Sequence, residues 1–289
     1  MHIHLFEILY VLLNRTDLTP SARLSLVARF YVFLFKAKFK LLPKDEIPFA
    51  GFKFSHRSLS NLKMMLKDTF FFGEYRLSPK ADPAFIIDCG GNIGVTALFF
   101  KFRYPKAKVL VFEPAEKNYA VLKKNIEQNH LEGVEAVRAA VCDRAGEMSF
   151  WDNVQSPTSS TGVSTWAVDK DKFVESRVPA VKLSSYIDRP VDVLKIDIEG
   201  GEGLVLEDLD ASGKLKEVNE IVMEYHSDKL NAQNKLSKII DILERNGFAV
   251  VPYGMLLARA AQDHVWKKPV YHFMLNAKNT ARFGAIRGV

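Results

Sequence analysis

The residues best equipped for chemistry lie in two short segments of the 289-residue chain. In FIIDCGGNIGVTALFF an apolar run ends in Asp88, turns through Gly90, Gly91, Asn92 and Gly94, and enters a helical pattern. In VDVLKIDIEGGE a second apolar run delivers Asp197, Glu199 and Glu202 in close succession. Glycines let the backbone approach a bound molecule, and asparagine tolerates left-handed geometry at modest cost. In an open parallel sheet, ligands lie outside the carboxyl ends of the strands, so this turn marks a cofactor crevice. Asp88 offers a carboxylate suited to a cationic amino group, acting directly, through water or by holding the loop.

A dinucleotide fingerprint fails at this turn. Counting from Gly90, its second and third glycine positions hold Asn92 and Val95, which disfavours an NAD(P) oxidoreductase. Glu113, closing VLVFE, can accept both hydroxyls of an adenosine ribose, a use it would share with nicotinamide enzymes. An acid opening a helix before Pro114 would look the same. Asp143, reached through VEAVRAAV and Cys142, is placed to accept from an adenine amine, or to form the turn in DRAG.

Asp197 and Glu199 share one side of an extended segment at the crevice mouth. There they could hold an amino group, orient an acceptor hydroxyl or take its proton. His226, after EIVMEY, is a third candidate base, equally readable as a satisfied loop histidine. Glu202 reads as a helix-capping acid. Asp197, Glu199 and Glu224 could supply oxygens to a divalent cation, but the Asp-Asn pairing expected of such a site is missing, and no metal is expected.

These residues need a scaffold, and the chain supplies its pattern. From Pro83 onward short β-branched runs alternate with amphipathic helical stretches, the mark of a doubly wound parallel α/β sheet. FAVVPYG and VYHFMLNAKN read as an antiparallel pair ending it. Residues 1–81 form an N-terminal helical segment and residues 82–289 the catalytic domain. Thr19 and Pro20 make a good helix start, predicting a helix over 20–38. Its Leu24, Val27, Ala28, Tyr31 and Phe35 fall near helical spacing. That face suits packing on the body of the protein or on a second subunit of a homo-oligomer. The mixture of Phe with Lys36, Lys38 and Lys40 also suits peripheral membrane contact through residues 20–40. Its uncharged core, Phe30 to Phe35, is too short to span a bilayer. Residues 43–81 read as an irregular stretch, a helix around Ser58 to Thr69 and a connector, together roofing the domain. The Ser/Thr-rich 156–165 reads as a flexible loop.

Composition narrows the setting. With 48% hydrophobic and 26% charged residues, the chain is an ordinary globular one, neither disordered, collagenous nor multi-span. Two cysteines, Cys89 and Cys142, exclude a disulfide scaffold. The apolar Met1 to Leu13 carries Glu7 and lacks a basic start and a cleavage site, so no secretory signal is expected. The expected location is cytoplasmic, with peripheral contact at the inner face of the membrane. The net charge of +6 favours anionic partners without choosing among them. Much of it gathers in Arg15, Arg23, Arg29, Lys36, Lys38 and Lys40. The crevice itself is acidic and no Asn-Pro-Pro-Tyr type motif occurs, so nucleic acid is not the expected partner.

In their order and spacing, DCGGNIG, VFEP, AAVCDRAGE and LKIDIEGGE resemble the FkbM-type family of methyltransferases, and EIVMEYH extends the likeness. The resemblance implies a class I methyltransferase Rossmann-like fold with a seven-stranded, mostly parallel sheet. It implies S-adenosylmethionine as donor, S-adenosylhomocysteine as product, and O-methylation of a sugar, glycan or secondary-metabolite hydroxyl. Carried over, the cofactor loop is Asp88, Gly90, Asn92 and Gly94, the ribose acid Glu113 and the adenine-edge residue Asp143. Asp197 and Glu199 fall on the acidic strand-end motif, with Asp197 serving both cofactor and catalysis. One departure follows Glu199: the family commonly has Gly, a His or bulky residue, then Glu. Here the run is Gly200, Gly201, Glu202, which removes any role for a side chain at 201. The alternatives are a nucleic-acid methyltransferase and a non-catalytic, membrane-associated Rossmann-like module.

Overall fold

The structure is a computed structural model that describes residues 5–75, 77, 82–153, 160–161, 173–228, 234–253 and 270–283. Most of the loop expected at 156–165 lies outside the described residues.

The chain opens with α1 (Leu5–Asn14) and α2 (Pro20–Lys38). The start of α2 is the one its sequence dictates, with Pro20 in the first turn and Thr19 Oγ1 accepting from the Ala22 amide at 3.3 Å. Its inward face is a different matter. Leu26, Phe30 and Phe33 are buried, whereas Leu24, Tyr31 and Phe35 of the expected packing stripe are exposed. The helix carries two apolar stripes, and spacing alone does not say which one meets the core.

The stretch read as irregular contains a hairpin of β1 (Glu46–Phe49) and β2 (Phe52–Ser55). Its two-residue turn puts both Ala50 (φ 53°) and Gly51 (φ 92°) in left-handed geometry, the twist that joins strands tightly. Next comes α3 (Leu59–Leu66), capped by Ser58, which runs into a π-helical turn over Lys67–Phe72. Phe70 and Phe71 of that turn are the hub of the aromatic packing. Phe71 stacks on Phe30 at 4.9 Å between ring centroids, and Phe70 meets Phe49 at 5.5 Å.

The central sheet is built from β3 (Phe85–Cys89), α4 (Val95–Arg103), β4 (Lys108–Phe112), α5 (Glu116–Gln128) and β5 (Val134–Val137). Phe70 reaches Phe99 of α4 at 5.3 Å, so the N-terminal layer shares one apolar core with this half of the sheet. The run VEAVRAAV is not one strand. After β5 the chain leaves the main sheet and forms β6 (Ala140–Cys142), which joins β7 (Gly146–Asn153), β8 (Ser160–Thr161) and β9 (Phe173–Lys182) in a second, four-stranded sheet. The reason is burial: β5 is a half-exposed edge, whereas Ala140 and Cys142 pack with Met148, Phe150, Val178 and Ala180.

The chain re-enters the main sheet through β10 (Val191–Ile196), then α6 (Glu202–Ala211), β11 (Val218–Asp228), α7 (Leu236–Arg245), β12 (Phe248–Tyr253) and β13 (Val270–Asn279). The seven strands lie in the order β12-β13-β11-β10-β3-β4-β5. The expected C-terminal antiparallel pair is present, with β13 inserted between β11 and β12 and antiparallel to both; β12 therefore runs with the parallel set. Adjacent β3 and β10 send their connections to opposite sides of this order, and such a switch point opens a crevice at the strands' carboxyl ends. Among the described residues no helix is long and apolar enough to cross a membrane.

Candidate active site

The crevice holds a cleft of about 650 Å³, counting the part open to solvent, lined by Gly90, Asn92, Glu113, Asn118, Asp197 and Glu199 on its polar side. Phe112, Ala139, Val141, Met148, Phe150 and Ile198 supply an apolar wall. The second sheet thus forms one side of the cleft, and its size lies within the range of small-molecule sites.

The turn after β3 is shaped by its neighbours. Gly90 has φ 88°, and a Cβ there would sit 1.8 Å from the Asp197 carbonyl oxygen. The glycine is thus required by the close approach of the β10 end before any ligand is considered. Asn92 is left-handed (φ 49°) and its amide donates to Glu113 Oε2 at 2.8 Å. Gly94 (φ 90°) starts α4, with Leu122 pressed against the place of its missing Cβ.

Glu113 is buried and lines the cleft. Oε1 accepts from the Ala115 amide at 2.9 Å, so each oxygen takes one backbone donor. A carboxylate has about four acceptor positions, more than these two amides fill, which leaves room for a ligand. Burial pushes its carboxyl up to about 7 against the pull of the two amides, Lys195 and Asn118.

Asp88 stands elsewhere than expected. It is fully buried beneath the cleft, outside the lining, where Oδ2 accepts from Thr96 Oγ1 at 2.7 Å and Oδ1 lies 3.0 Å from Lys195 Nζ. Of its proposed roles, holding the loop is the one this position allows. Lys195, like Tyr75, was not evident from the sequence. It is the register partner of Asp88 on the adjacent strand, and it also donates to the Gly90 carbonyl at 2.7 Å and approaches Asp197 Oδ2 at 3.5 Å. The single cation of β10, set in the apolar run VLKI two residues before Asp197 and on the same side, was the available signal.

Asp197 is fixed from three directions. Tyr75 Oη donates to Oδ2 at 2.7 Å, Lys195 stands behind it, and His226 Nε2 lies 4.0 Å from Oδ1. Burial would raise its carboxyl, but Lys195, His226 and Tyr75 together hold it below the usual carboxylate range. Tyr75 comes from the N-terminal segment, which therefore contributes a side chain to the site.

His226 sits among acids. Nδ1 donates to buried Glu202 Oε1 at 2.9 Å, while Nε2 faces Glu199 Oε2 at 3.5 Å and Glu224 Oε1 at 3.8 Å. Burial disfavours the imidazolium, yet Glu199, Glu202 and Glu224 raise its pKa well above the ordinary value. Glu202 does more than cap a helix: it accepts from the Gly200 amide and from Asn234 Nδ2 as well, locking the His226 ring. Asp197, Glu224 and His226 each place one potential ligand atom within 4.8 Å of the others, close enough to share a divalent cation.

Glu199 is the exception to this confinement. Its side chain is 44% exposed at the rim, and its backbone takes a left-handed φ of 56°. Packing into the mouth of the crevice pushes its carboxyl up to about 7; His226 opposes this, and Asp197, Glu224 and Glu202 reinforce it. Asp143 lies two residues beyond Val141 and outside the cleft lining, half-buried beside Arg144.

Comparison with known proteins identifies the family. The model of the methyltransferase FkbM domain matches residues 88–250, which contain the turn, Glu113, the acidic strand end and His226. The chain belongs to the FkbM methyltransferase family, and its Rossmann-like fold with a mostly parallel seven-stranded sheet is that of a methyltransferase. It is similar to Methyltransferase 1 of Beauveria bassiana, 28% identical over 203 residues, covering 64% of this chain and 80% of the relative. It is also similar to the 31-O-demethyl-FK506 methyltransferase FkbM of Streptomyces tacrolimicus, 26% identical over 195 residues, covering 57% of this chain and 73% of the relative. A crystal structure of the methyltransferase FkbM from Methylobacillus flagellatus aligns with a TM-score of 0.47 and 15% identity. The alignment covers 73% of this chain and 47% of that one, so the chain spans about half the length of that structure.

Proposed function

We propose that this methyltransferase is an S-adenosylmethionine-dependent O-methyltransferase acting on the hydroxyl of a sugar, glycan or secondary metabolite. The observation that carries the reading is Glu113: a buried carboxylate at the end of β4 that lines the cleft with acceptor positions to spare beside an apolar wall. That combination fits a ribose diol with its base lodged against Ala139, Val141, Met148 and Phe150. The donor supplies, when bound, a sulfonium methyl group. The acidic cluster of Asp197, Glu199, Glu202 and Glu224, countered by Lys195 and His226, favours a ligand carrying positive charge.

The side chains divide the remaining work. Asp197 is held ionised and immobile by Tyr75 and Lys195, which suits it to orient a ligand and makes it a weak base. His226 carries its proton among carboxylates and is poorly placed to accept another. Glu199 alone of the three candidates is open at the rim, and its carboxyl near 7 is poised for proton abstraction at neutral pH. The name of the Streptomyces relative, which acts on an O-demethyl compound, supports a hydroxyl acceptor.

The test is mass spectrometry of glycans and metabolites from cells expressing the wild type or Glu199→Gln. The reading predicts a species one methyl group heavier at an oxygen with the wild type, reduced roughly 10²- to 10⁴-fold in the variant. A gained methyl on nitrogen or carbon, or full activity of the variant, would contradict it.

A further inference from the structure

We infer that the outward face of α2 docks on the surface of an anionic lipid bilayer. The helix is apolar on two opposite sides. Leu26, Phe30 and Phe33 enter the core, and the opposite stripe of Leu24, Tyr31, Val32, Phe35 and Phe39, about 100° wide at helical periodicity, faces outward. Leu24 is 60% exposed, Val32 53%, Phe35 58% and Phe39 55%. Leu13 and Leu41, also exposed, lie near its two ends in sequence. Packing among the described residues does not account for so large a concentration of exposed apolar side chains.

Charge selects the occupant. Lys38 lies along one edge of the stripe and Lys36 and Arg29 along the other, with Lys40 at its end, all exposed. The two acids among residues 1–42 are turned to internal duties: Asp17 binds Arg15 at 2.8 Å and Glu7 pairs with Lys67. A second copy of the chain seated on this face would bring lysine against lysine, whereas anionic headgroups answer the whole rim. Phe35 and Phe39, with ring centroids 4.6 Å apart and Lys38 Nζ 5.8 Å from the centre of the Phe39 ring, form the wedge that a helix lying in a bilayer interface uses. This surface is independent of which acceptor is methylated.

The experiment is co-sedimentation of the full chain with phosphatidylcholine vesicles, alone or containing about 30% phosphatidylserine. Wild type should sediment with the mixed vesicles and remain in solution with phosphatidylcholine alone, and about 0.5 M salt should weaken binding. The double variants Phe35→Ser/Phe39→Ser and Lys36→Glu/Lys38→Glu should each lose at least tenfold in affinity. Both should keep the wild-type thermal transition, because all four side chains are exposed. Wild type that ignores the mixed vesicles at low salt, or serine variants that bind as wild type does, would overturn the inference. So would a wild-type dimer that the serine variants dissociate, since the face would then belong to a second copy.

Discussion

Lys195 Nζ lies 3.0 Å from Asp88 Oδ1, and neither side chain is more than 1% exposed. The two are register partners on adjacent parallel strands, so the pair fixes the floor of the crevice: through it β10 is tied to β3 and to the Gly90 carbonyl. Removing one partner leaves an uncompensated buried charge. Lys195→Met should therefore cost roughly 3–5 kcal/mol in urea unfolding. Adding Asp88→Asn, which keeps an acceptor for Thr96, should restore part of the loss. Simply additive losses would show that the two side chains are not coupled.

Glu113 makes stability depend on pH. Its folded carboxyl, pushed up to about 7 by burial, lies above its unfolded value, so the fold favours the protonated form. That contribution is present below about pH 4.5 and is lost as pH rises through about 7, on the order of 3 kcal/mol in all. Thermal transitions of the ligand-free protein should fall between pH 5 and pH 8, and Glu113→Gln should flatten the fall. Affinity for S-adenosylhomocysteine should run the other way, rising over the same interval as the carboxylate becomes a full acceptor. An unchanged slope in the variant would remove Glu113 as the cause.

Gly90 and Gly213 separate steric need from backbone preference. Both have positive φ, but a Cβ at 90 would meet the Asp197 carbonyl at 1.8 Å whereas one at 213 meets nothing within 4 Å. Gly213→Ala should cost about 1–2 kcal/mol, the left-handed penalty alone. Gly90→Ala must displace the β10 end and should cost clearly more while abolishing binding of S-adenosylhomocysteine. Equal costs in chemical denaturation would argue that the turn relaxes freely.

What was legible in the sequence was local. Thr19-Pro20 announced α2, and an apolar run ending in Asp88 before a glycine turn announced the switch-point strand. Glu113 and Asp197 could be placed because each ends a strand in the same register of the sheet. What escaped was set by distant packing. Tyr75 reaches Asp197 from 122 positions away in the chain, and Lys195 declares its role only when Asp88 is seen beside it. VEAVRAAV kept one apolar pattern across the break at which the chain changes sheets. The inward face of α2 was misjudged because a second apolar stripe competes with the first, and only the neighbouring Phe71 decides between them.

The central claim is that the turn after β3 and the carboxylate of Glu113 together hold the nucleoside of the methyl donor. Calorimetric titration with S-adenosylhomocysteine tests it most directly. The account predicts saturable binding of one molecule per chain, weakened at least tenfold, about 1.4 kcal/mol, by Glu113→Ala in a variant that still melts cooperatively. A flat titration with folded wild-type protein, or equal affinity in the two proteins, would contradict it.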